Sequence, residues 1–192
     1  MKLYLVLSAD DTDVLEPALR GGVDVVQLRD KTLADRDLVR AARVFRRACT
    51  RHRALFILND RPDLVERCYA DGVHVGRSDV SVAEARALVG QNRMVGLSAS
   101  TFDELQDVEG ADYVGVTAFA TPTKEDAVPG GLDLIRDAAA ALTVPWVAIG
   151  GIDLSNAAEV VAAGAPGLAV VRAIRDAEDP EAAARELKRL VG

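Results

Sequence analysis

Eight short apolar runs rich in β-branched residues alternate with Ala/Leu-rich stretches of helical period. This alternation predicts an α/β fold, a compact single-domain (β/α)8 barrel of the TIM type spanning residues 1–192. Three observations carry the prediction. The strand-like runs number eight. Most are apolar almost without a break, as parallel strands covered on both faces must be. No G-x-G-x-x-G follows the first run, so the doubly wound dinucleotide fold, the main rival, lacks its fingerprint. Length is the one opposing observation. Barrels of this type run to about 250 residues, with about 200 near the lower limit, so 192 residues leave room only for minimal loops.

In chain order the expected strands are KLYLVLS (2–8), DVVQLR (24–29), ALFIL (54–58), GVHVG (72–76), MVGLS (94–98), YVGVT (113–117), PWVAIG (145–150) and GLAVV (167–171). Between the second and third, Leu38, Ala41, Phe45 and Ala48 fall on one helical face within 33–50. The last helix has Asp179 as a cap, Pro180 in the first turn, and Ala183, Leu187 and Leu190 on one face. Four helices are expected to stop at a glycine, in RGGVDVV, ADGVHV, EGADYV and AGAPGLAV, each with a strand a few residues later. The recurrence is what stacked βα units produce.

A net charge of −7 and a pI of about 4.9 argue against a protein whose whole surface binds nucleic acid. The N-terminal run LYLVL is too short for a signal segment or a membrane span, so a cytoplasmic location without membrane attachment is expected. Cys49 and Cys68 lack CxxC spacing and nearby histidines, and read as core thiols. His52 reads as the exposed end of the second helix, and His74, within GVHVG, as a satisfied structural histidine. No Ser-His-Asp or Cys-His arrangement is visible, so acyl-transfer chemistry is not expected.

Function is signalled by the residues that follow each strand. These are Gln27, Arg29 and Lys31; Asn59 and Asp60; Gly76, Arg77, Ser78 and Asp79; Ser98, Ser100 and Thr101; Thr121, Thr123 and Lys124; Gly150 and Gly151; and Arg172. In a barrel they share the C-terminal rim, where enzymes of this fold place their chemistry, whereas the strand entries carry little beyond turn residues. Arginine forks and mobile lysines suit phosphate oxygens. Asp60 and Asp79, from adjacent strands, suit Mg²⁺, a hard ion that takes oxygen ligands and often bridges to substrate phosphates. A turn or cap role would explain Asp60 alone equally well; the pair is what points to metal. Gly150 and Gly151 allow the backbone close to an anion, at a position where barrels bind phosphate.

The segments QLRDK, LNDR, VHVGRSD, GLSAST, TPTK, AIGGI and VVRAI, in this order and over nearly the whole chain, resemble the thiamine-phosphate synthase family. TPTK and Q-x-R-x-K are the specific motifs. The resemblance implies a barrel enzyme, a transferase joining hydroxymethylpyrimidine diphosphate to a thiazole phosphate with release of diphosphate. It implies that Gln27, Arg29 and Lys31 hold the pyrimidine diphosphate. Asn59 touches the pyrimidine side or the diphosphate, and Asp60 and Asp79 bind Mg²⁺. Ser98 and Lys124 reach the diphosphate, with Lys124, Arg29, Lys31 and Ser98 as the catalytic set. Thr121 and Thr123 recognise the thiazole, and Gly151 with the Val171–Arg172 backbone holds its phosphate. A homo-oligomer is left open.

Three positions depart from the family's usual residues: Arg77 for Gln, Arg172 for Ser or Thr, and Thr117-Ala118 for Gly-Pro. The chain also reads as slightly short for the family at its N-terminus. A sister family, the thiazole tautomerase, shares the barrel but uses a histidine where this chain has Ser100, and ranks second. A non-catalytic barrel that binds a phosphorylated metabolite, motivated by Arg77 and Arg172, is the alternative from another class.

Overall fold

The computed structural model of the chain describes residues 1–119 and 130–192. Eight parallel strands close into a barrel in sequential order, β1 pairing with β8. The strands are β1 (Leu3–Leu7), β2 (Val25–Leu28), β3 (Leu55–Asn59), β4 (Gly72–Val75), β5 (Met94–Ala99), β6 (Tyr113–Thr117), β7 (Trp146–Ile149) and β8 (Leu168–Val170). The outer layer, among the described residues, comprises α1 (Thr12–Arg20), α2 (Asp35–His52), α3 (Val65–Cys68), α4 (Val82–Val89), α5 (Phe102–Gln106), α6 (Gly131–Ala141), α7 (Ala157–Ala162), α8 (Arg172–Arg175) and α9 (Pro180–Val191). The predicted barrel and all eight strands are therefore present.

Alternation along the strands divides the core in two. Outward residues such as Leu5, Leu28, Phe56, Val73 and Val116 pack under the helices. Inward residues form a separate cluster of Tyr4, Val6, Val25, Ile57, Tyr113, Val147 and Ala169. The α2 stripe is buried through Leu38, Val39, Ala42, Phe45, Ala48 and Cys49. Ala41, expected on that face, lies at its edge and is only partly buried. Burial of a side chain such as Phe45 contributes about 1.5–3 kcal/mol.

The cap expected on the last helix is present: Asp179 Oδ1 accepts from the Ala182 N–H at 3.0 Å, and Pro180 opens α9. Its face is rotated from the expected one. Ala183, Ala184, Leu187 and Val191 are buried, and Leu190 is exposed. The glycine stops need correction as well. Gly72 lies inside β4 rather than ending a helix; α3 ends with Tyr69 in the left-handed region at φ 53°. A β-carbon at residue 72 would sit 2.3 Å from the Met94 carbonyl oxygen, so close strand packing accounts for that glycine.

The strand entries are not the plain turns the sequence suggested. Asp24, Asp71 and Asp112 each stand immediately before an even-numbered strand and clamp the start of the preceding one. Asp24 donates its N–H to the Leu3 carbonyl at 2.9 Å and accepts the Leu3 N–H on Oδ2 at 2.8 Å. Asp71 does the same with Phe56 at 2.7 and 2.7 Å, and Asp112 with Val95 at 2.8 and 2.7 Å. A helix cation neutralises each carboxylate: Lys188 of α9, Arg46 of α2 and Arg86 of α4.

Candidate active site

At the opposite end, the C-terminal mouth, the β2 exit is shaped by Asp30. Its Oδ1 accepts from the Thr32 N–H and hydroxyl and from the Leu33 N–H, at 2.9–3.1 Å, and this loop carries Lys31. The Lys31 ammonium lies 3.2 Å from Asp60 Oδ2. Asp60 follows β3 with φ 60°, a left-handed conformation that a non-glycine residue adopts at a cost. Its N–H donates to the His74 carbonyl at 2.9 Å, which holds the strained residue at the edge of β4. Asp79 folds back so that Oδ2 accepts from the Gly76 N–H at 2.8 Å, and its carboxyl comes within hydrogen-bonding reach of Asp60. Burial first, and the adjacent Asp79 second, push the Asp60 carboxyl above the usual carboxylate range, against the pull of Lys31.

Thus Lys31, Asp60 and Asp79, named from separate motifs, meet. Asn59 ends β3 in register with His74. The Arg29 N–H is tied to the Leu7 carbonyl at 2.8 Å, and its guanidinium has no carboxylate partner among the described residues. After β7, Gly150 (φ 99°) passes so close to the neighbouring chain that a β-carbon would lie 2.6 Å from the Phe119 carbonyl oxygen. Asn156 latches this loop, donating to the Gly151 carbonyl at 2.8 Å and accepting from the Asp153 N–H at 3.0 Å. Arg172, just past Val171, is near enough to help hold Asp153 below its usual range, after the larger effect of the Ser155 hydrogen bonds. Thr121, Thr123 and Lys124 lie outside the described residues.

Arg77 has a different task from phosphate binding. Its guanidinium donates to the Ser98 carbonyl at 3.1 Å, to Asp107 at 2.8 Å and to the Glu104 carbonyl, tying the β4 exit to α5. This removes one of the two arginines that motivated a non-catalytic binder. Ser100 hydrogen-bonds the Thr117 hydroxyl at 3.0 Å.

The residues missed in the sequence lie in the barrel interior. Gln27 is 4% exposed, and its Nε2 donates to the Tyr4 hydroxyl at 2.8 Å. Tyr4 and Tyr113 hydroxyls are 3.0 Å apart; Tyr113 then meets His74 Nδ1 at 3.1 Å, and His74 Nε2 meets Ser98 Oγ at 3.0 Å. Gln27 and Ser98, predicted from separate motifs, are thereby joined through the barrel interior. Glycine at 96 makes this possible: a β-carbon there would fall 2.1 Å from the Tyr113 ring. The available signal was parity, since both tyrosines occupy inward positions of otherwise apolar strands.

The two core thiols are buried as expected, and burial pushes Cys49 up to about 12 and Cys68 up to about 11. His52, expected exposed, is half-buried against Glu16 at 2.8 Å. No helix among the described residues is long and apolar enough to cross a membrane.

Comparison with known proteins yields consistent matches. A family model described as thiamine monophosphate synthase matches residues 3–174. A thiamine-phosphate synthase of Thermosynechococcus vestitus is 48% identical over 193 residues, covering 98% of this chain and 55% of that relative. One from Thermobifida fusca is 46% identical, covering 98% of this chain and 91% of that relative. The chain therefore spans about half the length of the first and most of the second. Among solved structures, a thiamine phosphate pyrophosphorylase from Pyrococcus furiosus matches with a TM-score of 0.91 at 33% identity, over 99% of this chain and 95% of that one. A 3-hexulose-6-phosphate synthase, at a TM-score of 0.70 and 24% identity, shares the fold.

Proposed function

The chain belongs to the thiamine monophosphate synthase family, and from that premise we propose that it joins hydroxymethylpyrimidine diphosphate to thiazole phosphate, releasing diphosphate. The observation that carries the reading is the meeting of Lys31, Asp60 and Asp79 at the mouth. Two carboxylates pressed together, one raised by burial and by the other, form a site short of positive charge. A divalent cation with phosphate oxygens on its far side fits that donor set, because Mg²⁺ is commonly held by only one or two carboxylates plus substrate phosphates. Asp60 and Asp79 would hold it, and when bound it supplies charge neutralisation for the leaving diphosphate.

The remaining roles are those that the family resemblance implies. Arg29, Lys31 and Ser98 stand at the rim to grip the diphosphate, with Lys124 assigned to the same task. Gln27 and Asn59 orient the pyrimidine, Thr121 and Thr123 the thiazole, and Gly151 with the Val171–Arg172 backbone its phosphate. In the reaction the methylene C–O bond of the pyrimidine breaks and its electron pair leaves on diphosphate. The electron-rich aminopyrimidine carries the resulting positive charge, and the thiazole nitrogen lone pair forms the new C–N bond. No proton is removed, so no strong base is required of the protein. Its contribution is positioning together with donors aimed at the developing negative charge.

The test is to incubate the chain with both substrates and Mg²⁺ and to quantify products. Diphosphate and thiamine phosphate in equal amounts are expected. Binding of one substrate without diphosphate release would replace this reading with that of a non-catalytic phosphometabolite-binding barrel.

A further inference from the structure

The buried chain of polar groups beneath the mouth has a direction. We propose that Gln27, Tyr4, Tyr113, His74 and Ser98 form a one-way hydrogen-bond wire that fixes His74 with its proton on Nε2 and leaves the Ser98 hydroxyl hydrogen as a donor to a ligand oxygen. Tyr4, Tyr113 and His74 are then positioning residues for the diphosphate site; that last step rests on the function proposed above, whereas the wire itself does not.

The direction follows from donor and acceptor chemistry. A carboxamide nitrogen only donates, so the Tyr4 oxygen accepts from Gln27 Nε2. The Tyr4 hydrogen then goes to the Tyr113 oxygen, its other partner at 3.0 Å. Tyr113 in turn gives its hydrogen to His74 Nδ1. A ring nitrogen that accepts carries no proton, so the proton resides on Nε2 and is donated to Ser98 Oγ. The Ser98 hydroxyl keeps its own hydrogen, for which the described residues supply no acceptor. The opposite order would leave the Tyr4 hydroxyl hydrogen buried beside a nitrogen that cannot accept it. Tyr4 is 2% and Tyr113 0% exposed, and burial pushes both phenols well above their ordinary range, so each link keeps its hydrogen. Bonds in such a chain polarise one another, so that Gln27 and Ser98 act as one unit.

Long-range proton–nitrogen NMR of the ¹⁵N-histidine-labelled chain reads the wire directly. Only two histidines are present, and His52→Gln assigns the signals. Protonated Nε2 and bare Nδ1 at His74 are expected, and the reverse tautomer would overturn the proposal. Tyr113→Phe keeps the ring but removes the hydrogen given to Nδ1. In that variant the tautomer preference should collapse, with circular dichroism confirming the fold; an unchanged tautomer would show that the wire does not set it. In the synthase assay Tyr113→Phe should lower kcat roughly tenfold, the scale of one hydrogen bond to a charged group, with KM for thiazole phosphate unchanged. An equal effect on kcat and KM would refute the positioning role. Failure of the wild-type chain to release diphosphate would refute the proposed function and leave the NMR result standing.

Discussion

The two rims of the barrel use the same residue type for opposite ends. At the strand entries, Asp24, Asp71 and Asp112 each have a backbone N–H and a helix cation to answer them. At the exits, Asp60 and Asp79 face each other, with one lysine against Asp60, and Asp60 has a positive φ. The first arrangement satisfies its charges inside the chain and holds strands together. The second leaves charge unsatisfied and strain in the backbone, which is the expected state of a site completed by something from outside. One rim stabilises; the other is held ready at the expense of stability.

The largest test of this contrast is Asp60→Asn. Product formation should fall by about 100-fold or more, the scale on which single electrostatic contributors act. The melting temperature without Mg²⁺ should not drop. A loss of several degrees would place Asp60 with the strand clamps and erase the distinction. Asp71→Ala is the converse. It leaves the buried Phe56 N–H and the Arg46 guanidinium without their partner, at a cost of about 2 kcal/mol, or roughly 4–8 °C of melting temperature for a chain of this size. Turnover at room temperature should stay within about twofold, because uniform loss of fold stability leaves the folded site intact. A large fall in turnover would show that the two ends are coupled.

The smallest effect is in the pH dependence of stability, where the two rims should have opposite signs. Burial alone would raise Asp24, but hydrogen bonds from Lys188, Leu3 and Lys2 hold it below its usual range. Its stabilisation is therefore complete above the ordinary carboxylate value and is lost as pH falls through the depressed folded value. Asp24→Asn should flatten the acid limb of a urea-midpoint profile. Asp60 is raised, so between the ordinary value and its folded value the folded chain binds a proton that the unfolded chain does not. Stability falls as pH rises through that window, and Asp60→Asn should recover it near neutrality. Like signs for the two variants would break the comparison.

The fold was legible because β-strand and helix periods are local properties of the sequence. All eight strands were found within a residue or two of their limits, and Lys31, Asp60 and Asp79 could be named because each follows closely on a strand. Three features were not legible. The clamp aspartates looked like turn residues, since their partners lie 15 to 21 residues away in the preceding strand. The Tyr4–Tyr113 contact spans 109 residues and exists only when the barrel closes. Arg77 looked like a ligand for phosphate because sequence shows its charge and not the carbonyls and carboxylate that take it up.

The repeat of the clamp also has a gap. The residue before β8 is Gly167, which has no carboxylate to offer, and β7 and β8 share only a short register. The fourth joint is closed by the main chain instead: the Ala148 N–H donates to the Gly167 carbonyl at 3.0 Å. A β-carbon at residue 167 would lie 2.8 Å from the Met1 carbonyl oxygen, so no side chain fits there. Acid can therefore loosen three quarters of the hoop by protonating their carboxylates, while the fourth has no such group to lose.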